Sequence, residues 1–237
     1  MIDAVAVVIP ARDEQARLPG CLHSVAAAVA ALPTDIEVVT VVAADSCTDT
    51  TVAVAASHAD RDPRVRVLPG RWGTVGAARR AGVEVAEAHL NAPPPRTWLA
   101  ATDADTQVPE DWLTRHLELA AAGWHAVAGV VRLAGADPRL EARFLASYPV
   151  LPDEEHPYVH GANLGVRADA YAEVGGWPTR SPTGEDQKLW DAVRASGRPA
   201  VASPASVVAT SARLRSRAPK GFAARLRELS TERELQR

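Results

Sequence analysis

Two carboxylates one residue apart, Asp103 and Asp105, follow a short apolar run, Thr97 to Ala101. Alternate residues on an extended backbone share a face. Such a pair is a hard oxygen donor set for Mg²⁺ or Mn²⁺. A cation held there could neutralise a diphosphate as it departs. The plainer reading is a pair of turn or capping residues ahead of a helix opened by Pro109. A second acidic segment, Asp45-Ser46-Cys47-Thr48-Asp49, also follows an apolar run. Asp45 could accept the imide N–H of a uracil or the hydroxyls of a ribose, or simply precede a helix. Glu185-Asp186 follows Pro182-Thr183-Gly184. It is either a general base at a pocket wall or a pair of acids stabilising the first turn of a helix. Arg79-Arg80 follows Gly73 and Gly76, and arginine pairs bidentately with phosphate oxygens, although solvated helix arginines are commoner.

Other chemistries lack their residues. The spacing Gly70, Gly73, Gly76 does not match G-x-G-x-x-G, and there is no P-loop, H-E-x-x-H zinc motif or G-x-S-x-G elbow. Of the 7 histidines, only His160, beside Gly161-Ala162-Asn163, adjoins a candidate site. Cys21 and Cys47 cannot form a disulfide framework. A formal charge of −3 on 237 residues does not support binding to nucleic acid. With neither a secretory signal nor an 18-residue apolar stretch, a cytoplasmic location is the expectation.

The elements that must hold these residues alternate. Ala4–Ile9, Ile36–Ala43, Val65–Leu68, Thr97–Ala101 and Ala126–Val131 read as strands, the first two apolar enough to be buried on both faces. Between and after them, 21–32, 48–58, 76–90, 109–122, 138–147, 168–174 and 185–196 read as helices. Gly161–Val166, Val201 and Ser206–Thr210 read as further short strands. The pattern predicts an α/β domain with a mostly parallel, Rossmann-like sheet flanked by helices, its ligands outside the carboxyl ends of the strands.

The order of the motifs is more specific than any one of them. Val7-Val8-Ile9-Pro10-Ala11-Arg12-Asp13-Glu14, Asp45-Ser46-Cys47-Thr48-Asp49, Gly76-Ala77-Ala78-Arg79, Asp103-Ala104-Asp105, Gly161-Ala162-Asn163, Gly175-Gly176-Trp177 and Gly184-Glu185-Asp186 succeed one another along the chain. This series resembles the family 2 glycosyltransferases of the GT-A fold over roughly residues 4–215. The resemblance implies a single GT-A-type domain over 1–215, with a nucleotide-sugar half (1–106) and an acceptor half (107–215). It implies that Pro10, Ala11, Glu14, Asp45, Arg79, Asp103, Ala104 and Asp105 bind the donor, and that Asp103 and Asp105 hold Mn²⁺ or Mg²⁺. Asp186 is then the catalytic base with Glu185 beside it, and Gly161, Ala162, Asn163 and Trp177 form the acceptor side. The implied reaction is inverting transfer of one sugar from a nucleoside-diphosphate donor, most often a UDP-sugar in this family, to an acceptor hydroxyl or carboxyl.

Thr210-Ser211-Ala212-Arg213 resembles small bacterial members that act on carotenoid or other lipid acceptors. No Gln-x-x-Arg-Trp motif of the processive members is present. Residues 213–237 carry eight basic and three acidic side chains, leaving −8 on the rest. The tail from 216 on reads as a basic helix. Phe222, Leu226 and Leu229 share one face of it, suited either to docking on its own domain or to peripheral contact with the inner face of the cell membrane. Arg213, Arg215 and Arg217 are candidates for diphosphate support. The rival classes are a non-catalytic nucleotide-sugar-binding relative, a phosphatase and a nucleotidyltransferase. Gln107 departs from the phosphatase pattern, and the glycine-rich start of a nucleotidyltransferase is missing.

Overall fold

The computed structural model describes residues 1–151, 154–214 and 222–231. These residues form eight strands and eight α-helices, alternating except at β4–β5 and α6–α7. They are β1 (Ala4–Ala11), α1 (Leu18–Ala30), β2 (Glu37–Asp45), α2 (Thr51–Ala59), β3 (Val65–Gly70), α3 (Val75–Glu87), β4 (Thr97–Ala101), β5 (Thr106–Gln107), α4 (Trp112–Ala121), β6 (Ala126–Ala134), α5 (Pro138–Ser147), β7 (Leu164–Arg167), α6 (Ala168–Glu173), α7 (Glu185–Ala195), β8 (Ala200–Ser211) and α8 (Phe222–Thr231). One sheet holds all eight strands in the order β3-β2-β1-β4-β7-β6-β8-β5. The ladders β1–β2, β1–β4, β2–β3 and β6–β8 are parallel, whereas β7 runs antiparallel to β4 and β6, and β5 antiparallel to β8.

The apolar run of β1 is continuous because both faces of the strand are covered. Val5, Val7, Ile9 and Ala11 enter one core with α1 and α4. Ala6 and Val8 enter the other, with Val83, Trp177, Leu189 and Trp190. Gly82 of α3 allows that close approach, since a Cβ there would stand 2.6 Å from Val8 Cγ1.

Besides shifts of one to three residues at element ends, the structure differs from the sequence reading in three places. Gly161–Asn163 is a 3₁₀ turn and the strand begins at Leu164. Val201 and Ser206–Thr210 belong to one strand, β8, whose register on β6 shifts between Gly129 and Val130. Pro204, which has no N–H for a ladder, lies within it. The two-residue β5 has no counterpart in the sequence reading. The boundary expected at 216 lies outside the described residues, as do Arg215 and Arg217.

The apolar face of α8 is spoken for. Leu226 and Leu229 are buried against Leu133, Leu140 and Phe144, and Phe222 meets Phe144 edge-on at 5.8 Å. Arg143 of α5 donates to the carbonyls of Leu229 and Ser230 at 2.7 and 3.0 Å, which caps the end of α8. Of the two expectations for Phe222, Leu226 and Leu229, these contacts are docking on the domain itself. No helix among the described residues is long and apolar enough to cross a membrane.

Candidate active site

The carboxyl ends of β1, β2 and β4 converge, and side chains lace their loops together. Asp13 has φ 51°, a left-handed backbone that aspartate tolerates. Its Oδ1 accepts from the backbone N–H groups of Thr48 and Asp49 at 2.6 and 3.3 Å. The Glu14 N–H donates to Thr51 Oγ1 at 2.7 Å. Asp45 is 6% exposed, and its Oδ1 accepts from the N–H groups of Trp72 and Gly73 at 2.7 and 3.2 Å. Asp45 therefore shapes the 70–73 loop from the end of β2. Pro10 and Ala11 close β1 beside these loops.

Asp103 and Asp105 lie just beyond β4, with Ala104 buried between them. Each is held by an arginine. Arg79 of α3 donates from Nη2 to Asp103 Oδ1 and from Nη1 to Glu185 Oε1, both at 2.7 Å. Arg213, just past β8, reaches Glu14 Oε1 at 2.5 Å and Asp105 Oδ2 at 3.1 Å. Asp105 is pushed up to about 6, chiefly by burial, then by the charge of Asp103; Arg213 works against this and Glu14 with it.

Arg79 was expected near the donor; the structure turns it into the core. It is 2% exposed, and its guanidinium lies 4.8 Å over the Trp177 ring. Burial works against its charge, but Asp103, Glu185 and Asp186 outweigh that and hold it protonated. A Cβ on Gly161 would stand 2.2 Å from Arg79 Nη2, so a side chain there would strike the guanidinium. Trp177, expected on the acceptor side, is 3% exposed and serves as the floor under Arg79. Glu185, expected beside the base, is committed to the Arg79 ion pair and 9% exposed.

Asp186 is placed differently. It stands at the head of α7, after Gly184 in the left-handed region (φ 71°). Its Oδ2 accepts from the Gly161 N–H and its Oδ1 from the Gln187 N–H, both at 2.9 Å. Gly161 thus contributes a backbone donor as well as the space that Arg79 occupies. Ala162 is buried behind it. Asn163, expected on the acceptor side, is wholly buried and joins four elements. Its Oδ1 accepts from Trp112 Nε1 at 2.9 Å and Ser206 Oγ at 3.1 Å and lies 3.2 Å from His116 Nε2, while its Nδ2 donates to the Val130 and Ser206 carbonyls. Burial pushes the His116 imidazole down to about 4, so it stays neutral within this network.

One feature of the site escaped the sequence reading. The chain has 3 Tyr and 2 Phe. Four of these, Phe144, Tyr148, Tyr158 and Phe222, form one aromatic wall with His156 and His160. His160 adjoins Gly161, and the charges of Asp186 and Asp103 act on it against the burial that lowers its pKa. Scattered over 79 sequence positions, these rings show no period; only their rarity in the composition could have drawn notice.

Two acidic groupings bear on a divalent cation. Asp13, Cys47 and Asp49 offer ligand atoms within 4.8 Å of one another. The carboxylates there already accept from Thr48, Thr51 and Gln15, which makes them loop lacing. Asp103 and Asp105 fit a hard cation better. They are all-oxygen donors just beyond β4, each held by one arginine, and burial with the charge of Asp103 pushes Asp105 up.

The mostly parallel sheet flanked by helices is that of a GT-A-type domain. The chain belongs to glycosyl transferase family 2, whose family model matches residues 6–174. No curated protein matches its sequence. Among solved structures it is similar to the mannosyltransferase PcManGT from Pyrobaculum calidifontis in complex with GDP-Man and Mn²⁺, with 20% identity, a TM-score of 0.68, and coverage of 90% of this chain and 58% of that one. It is also similar to S. aureus TarS 1–349 in complex with UDP-GlcNAc, with 14% identity, a TM-score of 0.68, and coverage of 94% and 62%. GalNAc-T7 with UDP, GalNAc and Mn²⁺ matches at 14% identity and a TM-score of 0.67, with coverage of 89% and 44%. The chain spans about three fifths or less of the length of these relatives.

Proposed function

We propose that this protein is a metal-dependent, inverting glycosyltransferase that moves one sugar from a nucleoside-diphosphate donor, a uridine diphosphate sugar first among candidates, to an acceptor hydroxyl. One observation carries the reading: the Arg79 guanidinium ties Asp103 to Glu185, and so draws the head of α7, with Asp186, against the end of β4. A base and a pair of cation-binding carboxylates thereby share one cleft. The nucleotides in the solved relatives support the donor class.

In this reading the loops after β1 and β2, with Pro10, Ala11 and Asp45, receive the nucleoside. Asp103 and Asp105 would hold Mn²⁺ or Mg²⁺, which when bound offsets charge on the departing diphosphate. Asp186 takes the proton of the acceptor hydroxyl as its oxygen attacks the anomeric carbon. The Gly161 N–H fixes the orientation of that carboxylate. Inversion needs one base and no covalent intermediate, which suits a site whose second acid, Glu185, is engaged by Arg79. The aromatic wall of Tyr148, Tyr158 and His160 supports an acceptor with a ring or apolar face, a lipid or carotenoid among them.

Asp186→Asn is expected to lower transfer by about 10²–10⁴-fold while nucleotide affinity holds; undiminished turnover would remove Asp186 as the base and favour a nucleotide-sugar-binding protein. Asp105→Ala is expected to abolish Mn²⁺ binding, read by calorimetry. A thermal-shift panel of UDP- and GDP-sugars, with and without Mn²⁺, identifies the donor through ligand-linked stabilisation.

A further inference from the structure

Arg213 lies outside every motif that the family match covers, which ends at residue 174. It nevertheless occupies the centre of the carboxylate cluster. Its two terminal nitrogens divide between Glu14, from the loop after β1, and Asp105, from the loop after β4. The carboxylates it joins are well buried, with 5% of the Glu14 side chain and 11% of the Asp105 side chain exposed, whereas the arginine side chain is 27% exposed. Its backbone is delivered there by pairing. The Ser211 N–H donates to the Asp105 carbonyl at 3.1 Å, and Thr106 Oγ1 donates to Thr210 Oγ1 at 2.9 Å. The placement is thus built by the β5–β8 ladder.

We infer that Arg213 is the resident cation of the metal-free site, and that its guanidinium and a divalent metal compete for Asp105. The inference rests on the proposed role of Asp103 and Asp105 and goes beyond it. Three observations carry it. Asp105 is largely buried, and a buried carboxylate needs a positive partner in every state of the protein. The partner it has is a monovalent side chain with solvent on one side, able to swing away, unlike the enclosed Arg79. A guanidinium and a divalent ion cannot both lie against Asp105 Oδ2 without strong mutual repulsion. Arg213 must therefore turn outward when a metal ion arrives, which places its charge beside the cleft where a diphosphate would lie.

The test is the affinity of the full-length protein for Mn²⁺ alone, with no nucleotide, by electron paramagnetic resonance or calorimetry. Arg213→Gln is expected to tighten Mn²⁺ binding up to about fivefold, the scale of one partly exposed charge pair. Arg213→Lys, which keeps the charge but loses the fork, is expected to fall between Gln and the native chain. The gain in melting temperature on adding Mn²⁺ is expected to be larger for Arg213→Gln than for the native chain. Equal or weaker Mn²⁺ affinity in both folded variants overturns the inference. Asp105→Ala separates the two readings: if it abolishes Mn²⁺ binding while Arg213→Gln leaves affinity unchanged, only the competition falls. If Asp105→Ala leaves binding intact, the metal role of Asp105 falls as well.

Discussion

Two arginines face the Asp103-Ala104-Asp105 motif, and each joins one of its acids to a glutamate. Arg79 joins Asp103 to Glu185; Arg213 joins Asp105 to Glu14. The chemistry of the two bridges is alike and their setting is opposite. The Arg79 side chain is 3% exposed, stacked on Trp177 and roofed by Gly161. Arg213 sits at a strand end with a wet side. An arginine that is enclosed cannot be exchanged, because it has no path to water, even though Asp103 keeps 36% of its side chain exposed. One that touches water can be re-partnered at small cost. The first is scaffold for the second.

Breaking the enclosed bridge has the largest expected effect. Arg79→Ala leaves Asp103 and Glu185 facing each other without a counter-charge and is expected to cost about 3–5 kcal/mol of unfolding free energy; chemical denaturation measures it, and a cost near that of an ordinary surface substitution would erase the contrast. Gly161→Ala attacks the same bridge from above. The added Cβ meets the guanidinium, so a loss of about 1–3 kcal/mol is expected, with an accompanying loss of transfer as the Asp186 donor shifts. Arg213→Gln in the metal-free protein is expected to cost less, about 1–2 kcal/mol, because the arginine has a wet side although Glu14 and Asp105 are well buried. A larger loss by the same denaturation assay would mean that this bridge too is structural.

A pair remote from the site sets the baseline. Asp169 accepts from Arg167 and Arg198, and the Arg167 hydrogen bond leads in holding its pKa at about 2, below the ordinary 3.8. A depressed carboxylate stabilises the fold above its unfolded pKa. That stability, about 1 kcal/mol or less after solvent screening, is lost as pH falls from about 4 to about 2. Asp169→Asn is expected to flatten that part of the acid unfolding curve.

The fold was largely legible because its elements are locally written. β4 and α5 have the limits read from the sequence, since a proline-rich loop bounds one and Pro138 opens the other. β5 was not legible, because two residues have no period, and the continuity of β8 was hidden by Pro204 and the register shift. The acids that meet in the cleft were named from type and order. What they do was harder to see. Arg79 reads as a phosphate ligand from its own neighbours; that it is core follows only from partners 24 and 106 positions away. Asn163 likewise becomes a structural hub through contacts 33 to 51 positions distant. Arg213 reaches 199 positions back to Glu14, a distance no motif records.

That last span has a consequence for how the protein is made. A ribosome releases Glu14, Asp103 and Asp105 long before residue 213 emerges. The early half can pair β1 with β2, β3 and β4 and can set Arg79 on Asp103, but Glu14 and Asp105 do not meet Arg213 until β8 lies down beside β6 and β5. Assembly of the cleft is thus tied to synthesis of β8, a non-local closure of the slow kind. A nascent chain stalled before that strand would carry a half-built, over-charged pocket, and a divalent ion in the surrounding fluid would be its natural substitute for the missing arginine.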